Sequence, residues 1–273
     1  MLNYKLISSD LDGTLLDEEM HVSLENREAI RRYADMGGVF VPNSGRSFFE
    51  MSEEVRNLDG VRFIICSDGA AIYDKETGER IGICMNREES QLLFSVLDEY
   101  SQFPSIHYDG NAYCDGDVLT PAVMDDYNVT PYFYDHFMKT AKTVSDIKAF
   151  RDTMEEVEMV CAFFSRSEDK IACRDRLVAL GFTVADTAEF NLEVFSARAG
   201  KGNAMLRLAE HLGIKKEETI AMGDSLNDVS MIRSAGLGLA MENAGDAIKA
   251  EASAVACRNT EHIVPYLLKT YVR

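Results

Sequence analysis

The stretch SSDLDGTL, residues 8–15, sets Asp10 and Asp12 one residue apart at the end of an apolar run, with Gly13 directly after them. Two carboxylates aimed at one place repel each other unless a cation sits among them. The run before them, YKLIS (residues 4–8), reads as a short buried strand, so the pair stands at a carboxyl end. Open α/β sheets bind ligands at that end of their strands.

Strand and helix alternate outward from this point. Ser23 caps an expected helix with an apolar stripe of Leu24, Ala29, Ile30, Tyr33 and Ala34, ending at Gly37-Gly38, and VFVPNS (39–44) is the next strand. A helix over about 47–57 leads into the strand VRFIICS (61–67). The rhythm returns late, with a helix closed by Gly213, the strand TIAMGD (219–224), the helix SLNDVSMIRSAG and the strand GLGLAM (236–241). Such alternation predicts an α/β fold, a Rossmann-like, mostly parallel sheet covered by helices. Between the two blocks the texture changes to short strands such as SIHY and NAYC, aromatic-rich turns such as TPYFYDHF, the strand VEMVCAFFS (157–165) and helices near 87–100 and 167–180. The expected organisation is therefore a discontinuous core, 1–83 and 189–273, with an inserted α+β domain at 84–188.

Composition narrows the function. The chain has 273 residues, 46% of them hydrophobic, and a net charge of -18 from 46 acidic and 28 basic residues. An acidic surface without a basic stripe argues against nucleic acid, and most of these charges read as solvated helix faces that favour solubility. No window approaches the roughly 20 apolar residues of a membrane helix, and the N-terminus has no basic region followed by a cleavable apolar segment, so no membrane partner and a cytoplasmic location are expected. The six cysteines are scattered without a CxxC pair and read as reduced, mostly buried thiols. Oligomeric state is left open by the sequence.

Collecting what stands at strand ends gives one cluster. Asp10 and Asp12 follow the first strand; Ser44, Gly45 and Arg46 the second; Asp68 and Gly69 the third; Gly223, Asp224, Asn227 and Asp228 follow TIAMGD. Lys201 opens a helix, where a cationic side chain and free backbone N–H groups both meet an anion. Crowded hard oxygen donors with a lysine, a hydroxyl and an amide read as a Mg2+ and phosphate site. Singly, each residue has an ordinary structural role as a turn residue, cap or surface charge; jointly, such roles do not explain convergence on strand ends. AGKGNAM is not a P-loop, because Phe195 and Gly202 stand where that motif needs glycine and Ser or Thr, and GLGLAM has Met241 where a dinucleotide fingerprint needs its third glycine.

DLDGTLL (10–16), the serine of NSGR (43–46), the lysine of GKGNAM (200–205) and GDSLNDVSM (223–231) resemble, in order, the four motifs of the haloacid dehalogenase-like hydrolases. ICSDGAAIYD (65–74) and GLGLAMENA (236–244) resemble its Cof-like branch, and the long gap after Ser44 resembles the arrangement with a large α/β cap, type IIB. The resemblance implies a Mg2+-dependent phosphatase in which Asp10 attacks phosphorus and Asp12 serves as acid and base. It implies Mg2+ bound by Asp10, the Asp12 carbonyl and Asp224, with Asp228 as support or further ligand. Ser44, Gly45, Lys201 and Asn227 would hold phosphate, with a less defined support role for Thr14. Arg46 either touches substrate or braces the loop. Asp68 stands where the branch commonly has asparagine, and Glu242 where it has glycine; either is a structural substitution or a narrowing of the esters accepted. The expected partner is a small phosphorylated metabolite, a sugar phosphate first and a nucleotide-like or cofactor phosphate second. A phosphosugar mutase and a silent phosphate-binding module are the alternatives. In the inserted domain His107, Tyr108, Asp109, Asn111 and Tyr113 are either substrate readers or simply a hairpin.

Overall fold

The computed structural model describes residues 2–273, which fall into two compact units. The first holds residues 2–46, Met51–Ile81 and Gly200–Arg273; the second holds Ser47–Glu50 and Gly82–Ala199.

The first unit is built on a five-stranded sheet in the order Ala254–Val255, Leu237–Ala240, Thr219–Gly223, Leu6–Ser9, Val39–Pro42, with every neighbouring pair parallel. Leu6, Ile7, Ser8 and Ser9 are all fully buried, as a central strand covered on both faces must be. A parallel bridge between Asn43 and Ile65 continues this sheet toward a second one of Phe63–Cys66, Ala71–Asp74 and Arg80–Gly82. The helix Leu24–Asp35 starts at Ser23, whose Oγ accepts from Asn26 N at 3.2 Å, and buries Ala29, Ile30 and Tyr33. Leu24, expected in its apolar stripe, is instead 66% exposed as the first residue of the helix. The helix expected over about 47–57 is broken into a 3-10 turn, Phe48–Glu50, and a short helix, Glu53–Arg56, because Ser52 starts a new cap by accepting from Val55 N at 3.3 Å.

The second unit has a six-stranded sheet in the order Thr183–Ala188, Asn191–Phe195, Met159–Phe164, Gln102–Tyr108, Asn111–Asp115, Lys142–Val144. The helices Arg87–Leu97 and Ser167–Ala179 contribute Leu93, Phe94, Cys173 and Leu177 to one core, while Phe103, Cys161 and Phe163 belong to another. The expected boundary at 188/189 falls between two paired strands of this sheet. TPYFYDHF is a helix, Pro131–Thr140, rather than a turn. Thr130 Oγ1 accepts from Phe133 N at 3.4 Å and Pro131 opens the first turn, so the pair is a helix start. Phe133 and Phe137, one turn apart, then pack on Phe163 with ring centroids at 5.2 and 5.7 Å. All six cysteines are free thiols, and five are buried.

Candidate active site

The carboxyl ends of the parallel strands bring the expected residues of the first unit together. Asp10 leaves the Leu6–Ser9 strand with its N–H still bonded to Met222 O at 3.0 Å, which anchors it beside the Thr219–Gly223 strand that delivers Asp224. Gly13 turns the chain back with φ 74. A Cβ on Gly13 would lie 2.4 Å from Asp224 Oδ2, so glycine is required by both backbone and space. Gly223 is equally constrained, since its Cβ would lie 2.3 Å from the Asp228 carboxyl carbon.

Lys201 is the centre of the cluster. It is 1% exposed, and its Nζ donates to Asp10 Oδ1 and Asp228 Oδ1, each at 2.7 Å. Asn43 holds the lysine from behind by donating Nδ2 to the Lys201 carbonyl at 3.1 Å and to Ser8 Oγ at 3.1 Å. The second oxygen of Asp228 accepts from the N–H groups of Asp224 and Ser225, both at 3.0 Å, so Asp228 shapes the loop as well as pairing the lysine. Asp10, Asp224 and Asp228 each offer an oxygen within 4.8 Å of the others.

The electrostatics follow from burial. Burial raises Asp10 well above the ordinary carboxylate range and the neighbouring Asp228 raises it further, against the opposing pull of Lys201. Burial and Asp228 likewise raise Asp224 to about 6. Burial opposes the charge on Lys201, yet Asp10 and Asp228 outweigh it and keep the ammonium well above its usual range. Concentrated carboxylate charge of this kind is what a hard divalent cation neutralises, and an all-oxygen donor set fits Mg2+.

The remaining residues sort themselves by contact. Arg46 grips Asp12 through both oxygens, Nε to Oδ2 at 2.9 Å and Nη2 to Oδ1 at 2.6 Å, which favours the bracing role. Ser44 is buried, accepts from Arg46 N at 3.2 Å and is followed by Gly45, half-buried in a bend. Asn227 Nδ2 donates to Asp68 Oδ1 at 3.2 Å. Thr14 is fully buried, and its Oγ1 has no partner among the described residues. Glu242 pairs with Arg258 at 3.4 Å on an exposed loop, the structural alternative of the two. His107 is buried against Glu50 at 3.3 Å, and Asp109 and Gly110 form a left-handed turn closed by Asn111 Nδ2 to Asp109 O at 2.8 Å, the hairpin alternative.

Sequence reasoning missed Asn243. Its Nδ2 donates to Gly13 O at 2.8 Å, and its Oδ1 accepts from Asn259 N at 3.3 Å, so it ties the Asp12-Gly13 turn to the end of the Leu237–Ala240 strand. The rule that found the others, inspection of each strand's carboxyl end, would have found it one strand further on.

A family model described as haloacid dehalogenase-like hydrolase matches residues 7–268. Phosphatase YwpJ of Bacillus subtilis is 32% identical, over 97% of this chain and 99% of its own. The 5-amino-6-(5-phospho-D-ribitylamino)uracil phosphatase YwtE of the same organism is 30% identical, over 97% and 96%. A solved haloacid dehalogenase-like hydrolase from B. subtilis superposes with a TM-score of 0.81 at 30% identity, over 98% of this chain and 99% of that one. With the ordered motifs converging at the ends of one parallel sheet, the chain belongs to the haloacid dehalogenase-like hydrolases, as a phosphatase-type enzyme of the Cof-like branch.

Proposed function

We propose that the chain is a Mg2+-dependent phosphatase that hydrolyses a small phosphorylated metabolite, a sugar phosphate first, through an aspartyl-phosphate on Asp10. The observation that carries the reading is the buried Asp10–Lys201–Asp228 arrangement, with both contacts at 2.7 Å. It sets the Asp10 carboxyl beside a fixed cation whose pull opposes the burial that raises it, and attack on an anionic phosphoryl group needs that carboxyl in its ionised form. Asp10, the Asp12 carbonyl and Asp224 would hold Mg2+, with Asp228 as support or further ligand. Bound there, the ion would offset the carboxylate charge and polarise the phosphoryl oxygens.

In the first step an Asp10 oxygen forms a bond to phosphorus while the ester P–O bond breaks, and Asp12 gives its proton to the departing alcohol. In the second, Asp12 takes a proton from water, the water oxygen bonds to phosphorus, and the bond to Asp10 breaks to release phosphate. Ser44, Gly45, Lys201 and Asn227 would hold the non-bridging oxygens. The second unit would act as a cap that excludes water and reads the alcohol. A small polyol or sugar ester is supported by the relative named for a phosphorylated ribitylaminouracil.

The test is release of inorganic phosphate from a panel of metabolites, in Mg2+ and in excess chelator. Asp10→Asn should lower turnover by roughly a thousandfold or more while leaving the melting temperature within a few degrees, because the amide keeps the shape and loses the nucleophile. Activity that survives the substitution or the chelator would sink the mechanism, and transfer to a second sugar hydroxyl without phosphate release would make the enzyme a mutase.

A further inference from the structure

Asp68 lies just past the Phe63–Cys66 strand in a left-handed backbone conformation, φ 49, between Ser67 at φ 50 and Gly69 at φ 88. It is 1% exposed, and its N–H donates to Ser44 O at 3.1 Å, which binds it to the loop of the candidate phosphate site. Its Oδ1 accepts from Asn227 Nδ2 at 3.2 Å. Its Oδ2 is buried with no hydrogen-bond partner among the described residues.

A buried carboxylate oxygen without a donor is costly, and a native structure that keeps one calls for an explanation. Here the cost has a direction. Lys201, already between Asp10 and Asp228, is also held in its charged form by Asp68. Five carboxylates, Asp10, Asp12, Asp68, Asp224 and Asp228, therefore stand against Lys201 and Arg46. With all five ionised, even the two charges of a bound Mg2+ would leave the cluster one negative charge in excess. A phosphate dianion entering it meets twice the repulsion that a monoanion meets.

We propose that Asp68 is a positioning residue that sets which charge state of phosphate the site accepts, disfavouring the dianion relative to the monoanion, and that it acts through Asn227 and Lys201 without touching the ester. The inference rests on the phosphatase reading of the site. A carboxylate only accepts hydrogen bonds, so Asp68 also fixes the orientation of the Asn227 amide, with Nδ2 turned toward it. The second ionisation of a phosphate ester falls near pH 6, so the selected species changes within the working range of the enzyme.

Asp68→Asn removes the charge and keeps the shape, and asparagine tolerates the left-handed backbone as aspartate does. Calorimetric titration of inorganic phosphate into the full chain with Mg2+ should show binding about fivefold tighter in the variant at about pH 8, and less than about twofold tighter at about pH 5.5. Unchanged or weaker binding at the higher pH, or equal tightening at both, would overturn the proposal. If the first variant is unstable, Asp68→Gly, neutral and at ease with positive φ, replaces it; because it also frees the Asn227 amide, the judgement rests on whether the change in binding is more favourable at about pH 8 than at about pH 5.5, and an equal change at both would overturn the proposal. Phosphate binding needs no turnover, so a protein that hydrolyses nothing would overturn the phosphatase reading while the titration still judges Asp68.

Discussion

Lys201 shows how much a single side chain does at this site. It opens the helix Lys201–His211 after Gly200, whose φ of 115 lets the chain turn from one unit's last segment into the other's helix. Its ammonium then sits between two buried carboxylates, with 0% exposure at Asp228 and 6% at Asp10. Replacing it by methionine keeps the length and removes the cation that, among the described residues, bonds both. Lys201→Met should cost about 3–5 kcal/mol of stability by urea denaturation in chelator, since it leaves two buried charges uncompensated. A loss under about 1 kcal/mol would mean that one carboxyl is already neutral beside the lysine. Residue types at this scale were readable: Asp10, Asp12, Lys201, Asp224 and Asp228 all converge. What they bond to was not readable, as with the pairing of the Arg46 guanidinium with Asp12.

At the scale of elements, local signals worked where they were redundant. The Leu6–Ser9 strand has an apolar run, a central position and a turn-forming glycine all in agreement, and it forms as expected. Pro131–Thr140 had conflicting signals, because aromatic residues favour strands while Thr-Pro suits either a turn or a helix start. Packing settled it: Phe137 lies 5.9 Å from Phe103 and 5.7 Å from Phe163, contacts that a helix makes from one face and a turn cannot. The cap is the testable part. Thr130→Ala should lower stability by about 1 kcal/mol, measured by chemical denaturation, because the Phe133 N–H loses its acceptor. An unchanged midpoint would show that Pro131 and packing start the helix without the cap.

For the whole molecule the informative segment is Ser47–Glu50, which packs in the second unit although the chain on both sides of it belongs to the first. Glu50 is buried beside His107 at 3.3 Å and His136 at 3.2 Å, and accepts from Ser47 N at 2.8 Å. Burial alone would raise its pKa, but the two imidazoles and the Ser47 N–H outweigh burial and lower it from 4.5 to about 2. A carboxylate depressed in the fold adds stability that is fully present above the unfolded value near 4.5 and is lost as pH falls through about 2. Wild type should therefore exceed Glu50→Gln by about 1–3 kcal/mol above pH 5, with the gap closing toward pH 2, when denaturation is followed across that range. A gap independent of pH would assign Glu50 a purely steric role. None of this was visible in SFFE as a string of letters. The sequence by itself determined the α/β alternation and the chemistry at the strand ends, because a short apolar run followed by a turn and a polar residue is local information. Only the tertiary structure decided the pairings, Arg46 with Asp12 across 34 positions, Asn227 with Asp68 across 159 and Lys201 with Asp10 across 191. Separation along the chain carries no distance; hydrogen bonds of under 3.5 Å are set by how strands stack and helices pack.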